Sequence, residues 1–235
     1  GVSASVTGFD ATSLTTTLSV SSGDSYEVRA DATISSIFGA TNEAGLGEGD
    51  SGSADVIWIP QDDGSFRQVY RAQAVPPFQA AGWAEIGEAG DAASVVIPFD
   101  VGIFIQRRQA DPVDIVFVGH VRTSATTVNL LTNKFNFVNR VLPVGITLGD
   151  SDIETAPSWQ DGDSGSADII WLPNGAGGYD QYYYAAAVPP FQAAGWAQVG
   201  AAGDKSGIEL TAGYAVQKRG ATGQVTVAIP GDLDL

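Results

Sequence analysis

Two serines, Ser51 and Ser164, are the residues most suggestive of catalysis, because each lies in a Gly-Asp-Ser-Gly-Ser motif. A serine becomes a nucleophile when a histidine base and an orienting carboxylate lie beside it. The single histidine of the chain, His120, comes after Ser51 and only 44 residues before Ser164. Ser51 therefore has no base ahead of it, and the segment before Ser164 is too short for an intervening barrel. The sequence argues against a serine protease and predicts no catalytic residue.

A second group of candidates is acidic and leads into an apolar run in each half of the chain. Calcium takes about six to eight oxygen ligands, and flexible loops rich in Asp often supply them. The spacing of Glu48, Asp50 and Asp55 recurs in the second half, which adds further acids upstream. The better candidate ligands for calcium are Asp150, Asp152, Asp161, Asp163 and Asp168. The alternative is ordinary turn formation, in which Asp caps its own backbone. Without Cys and with one His, we expect no transition-metal site.

Tryptophans recur at matching positions and offer a third kind of site. Trp58 and Trp171 lie inside apolar runs, so we expect both in the core. Trp83 and Trp196 follow Ala-Ala-Gly and are expected to close the end of a barrel or sandwich. The strand Tyr182–Tyr184 could expose one face. The alternative is that some of these rings form a sugar-binding surface.

The sequence contains an internal repeat that carries these residues. Gly49–Asp91 and Gly162–Asp204 align without a gap at an offset of 113 residues and are identical at 29 of 43 positions. The likeness continues more weakly to Gln106-Arg107-Arg108 and Gln217-Lys218-Arg219. Catalytic sites are rarely duplicated intact, whereas scaffolding and binding surfaces often are.

The pattern within each repeat predicts strands. Val56–Ile59 and Phe66–Tyr70 flank a Gly-containing turn, as do Ile169–Leu172 and Tyr179–Tyr184, and each pair predicts a hairpin. One short segment per repeat departs from this pattern: Pro77–Gly82 and Pro190–Gly195 predict one helical turn or a structured loop. We therefore predict an all-β fold of two tandem homologous domains, sandwich-like or barrel-like, over residues 1–118 and 119–235.

Composition bears on the environment of the chain. Its 235 residues carry a net charge of −16, which argues against binding nucleic acid or an anionic membrane. No run is long and apolar enough for a transmembrane segment. The chain contains neither Cys nor Met and starts at Gly1. These features predict a secreted or cell-surface protein, free of disulfides, whose signal peptide has been removed.

The order of motifs in each half is acidic Ala-Asp, an apolar run with Trp, a Gly turn, a Tyr-rich strand, Gly-Trp, and a strand ending in Gln-Arg-Arg or Gln-Lys-Arg. This order resembles an uncharacterised family of secreted tandem-repeat β-proteins of Verrucomicrobia and related bacteria. The resemblance is clearest over Ala167–Gly231. It implies export and surface association, and it supplies no known activity or catalytic residues.

Two functions remain open. The first is a non-enzymatic structural protein, a self-assembling subunit of an extracellular fibre, sheath or surface layer. Its head-to-tail contacts would involve the weakly charged segment Val2–Leu18, which is suited to adding a strand to a neighbour's sheet. The alternative is a surface module that binds a glycan or another ligand in adhesion. The expected partners are accordingly further copies of the chain or a glycan.

Overall fold

A computed structural model describes residues 6–9, 14–16, 21, 28, 30–77, 80–98, 101–115, 126–139, 145–190, 193–210 and 213–227 of the chain. The predicted boundary between residues 118 and 119 lies outside these residues, so the division into two domains stays a prediction. His120 lies outside them as well. None of the helices in the described part of the chain has the length and apolar character needed to cross a bilayer.

Nearly all regular structure in the described residues is β, which confirms the predicted fold class. In chain order the strands are β1 (Val6–Phe9), β2 (Leu14–Thr16), β3 (Ala32–Thr33), β4 (Val56–Pro60), β5 (Phe66–Ala72), β6 (Gly82–Glu85), β7 (Val96–Ile97), β8 (Phe104–Gln106), β9 (Thr126–Leu130), β10 (Phe135–Val138), β11 (Ile169–Pro173), β12 (Tyr179–Ala185), β13 (Gly195–Gln198), β14 (Tyr214–Gln217) and β15 (Gly223–Val227). The short helix α1 (Ile34–Phe38) and a 3₁₀ turn (Ile153–Thr155) complete the elements.

Two larger antiparallel sheets carry the repeats. The first sheet has the order β6-β5-β4-β8, and the second sheet has the order β10-β14-β11-β12-β13. The same register recurs at the repeat offset: Val56 faces Tyr70 across the first hairpin, and Ile169 faces Tyr183 across the second. Both predicted hairpins are therefore present, with β4 and β11 in the interior of their sheets.

Glycines in the hairpin turns adopt the backbone conformations that let the chain reverse direction. Gly64 turns the chain between β4 and β5 with φ +88°, and Gly175 and Gly177 do so between β11 and β12 with φ +72° and +83°. These left-handed conformations are costly for residues with a side chain. The turns therefore set the register that places the side chains described below.

Each sheet buries one face in its own apolar cluster. Ile57 and Ile59 of β4 pack with Trp83 in the first cluster. Ile170 of β11 packs with Trp196 in the second. Trp83 and Trp196 are 2% and 3% exposed, so both rings are buried in these clusters, and the closing of one end of a barrel or sandwich stays a prediction. Helix α1, which the sequence pattern did not predict, adds Ile34 and Phe38 to the first cluster.

Strand β10 contacts both sheets. It pairs with β14 at the margin of the second sheet, where Phe137 faces Ala215. At the same place the Gly102 amide, just before β8, donates to the Phe137 carbonyl at 2.9 Å. A Cβ on Gly102 would approach the Val138 carbonyl oxygen to 3.1 Å, so glycine permits this close approach. The two sheets are thus joined through one strand.

The remaining predicted segments are only partly described. Pro77 and Pro190 lie in turns, which favours the structured loop over a helical turn, and Phe78, Gln79, Phe191 and Gln192 lie outside the described residues. Val75 and Val188, at the start of these turns, are 52% and 53% exposed. Within the segment Val2–Leu18, β1 pairs with β2 as a separate two-stranded sheet.

Candidate functional site

An open groove of about 560 Å³, lined mostly by aromatic rings, lies between the first and second sheets. We call it the aromatic groove. Its walls and floor carry seven rings from six strands: Trp58, Phe66, Phe104, Phe135, Phe137, Trp171 and Tyr179. Ile105, Gln106 and Ala215 complete the lining.

Strand alternation explains why these rings face the groove. On β4, Ile57 and Ile59 point into the core, so Trp58 between them must point to the opposite face. The same alternation on β11 turns Trp171 away from the core. The prediction that both tryptophans lie in the core is therefore wrong, and both are half-buried in the groove. The sequence did not indicate which residues of these strands face the groove, because every residue of a continuous apolar run is equally suited to burial.

The repeat builds two equivalent walls. Trp58 and Phe66 meet edge to face, with ring centroids 5.9 Å apart and planes at 75°. Trp171 and Tyr179, at the matching positions, have centroids 6.5 Å apart and planes at 67°. In an edge-to-face pair, the ring that supplies the edge keeps its own faces free for another contact. Each wall therefore presents an aromatic pair in the same arrangement.

The floor comes from β10 and joins the two walls. Phe137 meets Phe104 edge to face at 4.6 Å, while Phe135 meets Trp171 at 5.5 Å. Phe135 and Phe137 are stacked, with planes at 19°. Phe135 is nevertheless 47% exposed, and Tyr179 is 45% exposed. The rings form a continuous series whose outer members remain open to solvent.

Polar groups in the lining are few. The Trp58 indole N–H donates to Gln106 Oε1 at 3.3 Å. The corresponding nitrogen of Trp171 is buried and has no hydrogen-bond partner among the described residues. Apart from the Tyr179 hydroxyl, none of the ten lining residues has an ionisable side chain. The groove is therefore an apolar, uncharged surface on a strongly acidic protein.

A second duplicated feature explains part of the predicted acidic site. Asp168 is fully buried, and its carboxylate receives a salt bridge from Lys218 Nζ at 2.5 Å. Backbone amides complete the cradle: Arg219 and Gly220 donate to Oδ1 at 2.6 and 2.9 Å, and Gln160 donates to Oδ2 at 2.9 Å. We call this arrangement the second carboxylate clamp. Its carboxylate is occupied by partners from its own chain.

The first carboxylate clamp has the same design around Asp55. Arg107 Nη1 lies 2.8 Å from Oδ2, and the amides of Arg108 and Gly47 donate at 2.6 Å each. Burial alone would raise the pKa of Asp55. The hydrogen bonds from these amides and from that of Gln109, together with the Arg107 guanidinium, lower it by more, so the pKa lies below its ordinary value. The sequence pattern revealed the recurring basic residues, but it did not reveal that they meet the carboxylates.

The serine motifs are Asp-stabilised turns. Asp50 Oδ1 accepts from the amides of Gly52 and Ser53 and from the Ser53 hydroxyl. Asp163 Oδ1 accepts from the matching groups of Gly165 and Ser166. Hydrogen bonds from the serine hydroxyl and these amides lower the pKa of both aspartates. Turn formation accounts for these acids without a metal.

The other three predicted calcium ligands share no hydrogen-bond partner in the described residues. Asp150 accepts from the Thr147 hydroxyl at 2.5 Å, Asp152 precedes the 3₁₀ turn with φ +53°, and Asp161 is exposed. Across the described ranges, no three Asp, Glu, His or Cys side chains are grouped as a metal site would require. Calcium binding stays a prediction. If it is right, excess chelator lowers the melting temperature.

Comparison of the chain with family models, with curated proteins and with solved structures found no match. The resemblance to secreted verrucomicrobial repeat proteins therefore stays a prediction from the order of its motifs.

Proposed function

We propose that the protein is a non-enzymatic binding module and that the aromatic groove is its ligand site. One observation carries the proposal: seven aromatic rings from both repeats and from the strand between them line a single open groove. Its volume of about 560 Å³ lies in the range of pockets that hold whole small molecules, roughly 300–1,000 Å³. This favours the second of the two functions expected from the sequence.

Solvent exposure of the rings supports a role in binding. Burial of apolar surface contributes roughly 25 cal/mol per Å², so rings left in water forgo stabilisation that closer packing would give. Contiguous exposed apolar surface commonly marks a contact with a ligand or partner. Here Phe135 and Tyr179 are almost half exposed although apolar clusters lie under both sheets. A ligand would cover this surface.

The test uses N-phenyl-1-naphthylamine, a neutral dye whose fluorescence rises in apolar surroundings. We expect saturable binding to the protein and at least about tenfold weaker binding to the W58A/W171A variant, because each wall loses its largest ring. Y183A is the matched control, since Tyr183 lies on β12 on the same face as Tyr179 but does not line the groove.

Circular dichroism and thermal unfolding establish that each variant remains folded. Absence of dye binding to the unaltered protein would contradict the proposal. Equal losses in W58A/W171A and Y183A would also contradict it, because the dye would then be held elsewhere.

A second candidate, assembly into a fibre or layer, is favoured by the hairpin β1–β2. It pairs with no other strand in the described part of the chain. An isolated two-stranded hairpin is marginally stable in water, and a third strand from a neighbouring molecule would stabilise it. Deleting residues 1–20 tests this candidate by electron microscopy and sedimentation: assembly is lost if strand addition operates, and fibres that form at the unaltered rate refute it.

A further inference from the structure

We infer that the ligand of the aromatic groove is an organic cation, a quaternary ammonium group attached to an apolar body. This inference rests on the proposed function, because it names the ligand class of the same groove. It follows from the lining, from its few polar groups and from the charge of the protein.

The lining of the aromatic groove disfavours anionic ligands. No Lys or Arg is among the ten lining residues, so a carboxylate, sulfate or phosphate would enter without a counter-charge. Lys134, which precedes Phe135 of the floor, donates to the Asp62 carbonyl at the turn after β4. The net charge of −16 adds long-range repulsion of anions and attraction of cations.

Neutral sugars are disfavoured by the shortage of hydrogen-bonding groups. A sugar presents several hydroxyls, and each one that is buried without a partner costs free energy. The lining offers side-chain polar groups only on Gln106, Tyr179 and the two indoles, and Gln106 Oε1 already accepts from Trp58. The hydroxyls of a sugar that face the lining would lose their water without gaining a partner.

A quaternary ammonium group meets neither obstacle. It has no N–H, so it needs no acceptor in the lining. Its positive charge is attracted to the negative faces of Trp, Tyr and Phe when it lies within about 6 Å of the ring centroid. The two walls, Trp58 with Phe66 and Trp171 with Tyr179, offer such rings at the two ends of the aromatic series. The groove is much larger than a trimethylammonium group, and the surplus apolar space suits an attached chain or ring.

Three ligands with the same octyl tail separate the possibilities: octyltrimethylammonium, octyl glucoside and octyl sulfate. Isothermal titration calorimetry, below the concentration at which any of them aggregates, gives each Kd. We expect the ammonium compound to bind about tenfold more tightly than the glucoside, and the sulfate to bind most weakly. In W58A/W171A this preference should fall by about tenfold, while Y183A should keep it.

The outcomes distinguish this inference from the proposal beneath it. Equal or tighter binding of the glucoside or sulfate, lost in W58A/W171A, overturns the choice of a cation and leaves the groove as a binding site. Ammonium binding that persists unchanged in W58A/W171A overturns the inference as well, since the cation would then be attracted to the acidic surface at large. Failure of all three ligands, and of the neutral dye, overturns the proposed function itself.

Discussion

The two carboxylate clamps share a backbone cradle but differ in the cation that neutralises the aspartate. In the first clamp Arg107 leaves 28% of its side chain exposed and also donates to the Asp111 carbonyl at 2.5 Å. In the second clamp the Lys218 side chain is fully buried and also donates to the Ser158 carbonyl. The same fold position therefore holds a partly hydrated guanidinium in one repeat and a dehydrated ammonium in the other.

This difference shows how much of a clamp the backbone supplies. Backbone amides just after the strand ends donate hydrogen bonds to both carboxylates, and either cation supplies the remaining partner. What changes is the consequence of losing the cation. Water can approach the first site through the exposed part of Arg107, whereas the second site is closed, so an unpaired charge there is far more costly.

The largest expected effect comes from removing the cation. K218M should lower the free energy of unfolding by about 3–5 kcal/mol, because Asp168 would remain buried without its counter-charge. R107M should lower it by about 1.5 kcal/mol, the contribution of a hydrogen bond to a charged group. Chemical denaturation followed by tryptophan fluorescence measures both. Equal losses of unfolding free energy in the two variants would show that the exposure of Arg107 does not reduce the cost of removing the cation.

Exchanging the cations should have a smaller effect. K218R places a larger side chain in a closed space and should cost about 1–3 kcal/mol through overpacking. R107K shortens a partly exposed side chain and should cost below about 1 kcal/mol, chiefly through the lost bond to Asp111. Differential scanning calorimetry at fixed pH compares the variants. A more stable K218R would mean that the second clamp has room for a guanidinium, contrary to the comparison.

The equivalent tryptophans differ in a similar way. The Trp83 indole N–H donates to the Gly39 carbonyl at 2.9 Å, and Arg71 lies over its ring at 5.7 Å. At the matching place, Trp196 meets Tyr184 edge to face at 5.6 Å, and its indole N–H lacks a hydrogen bond of ordinary geometry among the described residues. The Glu154 Oε2 atom is also buried without a hydrogen bond of ordinary geometry, although the Trp196 indole interacts with this carboxylate and favours its charged form. The indole N–H is thus hydrogen-bonded in the first repeat and lacks such a bond in the second.

The smallest expected effect concerns Glu154. Burial, aided by the charge of Asp152, raises the pKa of Glu154 above its ordinary value of 4.5. Well below pH 4.5 the carboxyl is neutral in both the folded and the unfolded chain. As the pH rises through the folded pKa, the fold must hold a charge that water solvates better in the unfolded chain, so stability falls.

E154Q should therefore be more stable than the unaltered protein at pH 7, by less than about 1 kcal/mol because the group is only partly buried. The gain should fall as the pH is lowered and vanish well below pH 4.5. Thermal unfolding from pH 3 to pH 8 measures it, and E88Q, at an exposed position, controls for the loss of a surface charge. A stability gain of E154Q that does not change with pH would contradict the raised pKa of Glu154.

Local sequence patterns predicted the hairpins because their determinants are local. Alternation and turn glycines such as Gly64 lie within each hairpin, so β4–β5 and β11–β12 could be placed before the structure was known. Helix α1 was missed because it has only five residues. Its capping depends on Thr33 and Ser36, whereas a capping box more often has Glu or Gln at the last position.

The groove and the clamps could not be predicted because they depend on contacts distant in sequence. Trp171 faces the groove because β14 and β10 continue the same sheet face, which places Ala215 and Phe137 beside it. Asp168 meets Lys218, which lies 50 positions later in the sequence. The sequence pattern shows that such residues recur, but strand pairing decides whether a side chain faces the core, a partner or the solvent.

The position of β10 has a thermodynamic consequence. Its Phe137 carbonyl accepts from Gly102 beside the first sheet, while its strand pairing belongs to the second sheet. If the second sheet opens, the first loses this hydrogen bond together with the contacts of Phe137 to Phe66 and Phe104. The free energies of the two sheets are therefore coupled. Heat should melt them as one cooperative unit, with a calorimetric enthalpy equal to the van't Hoff enthalpy, although the sequence reads as two separate repeats.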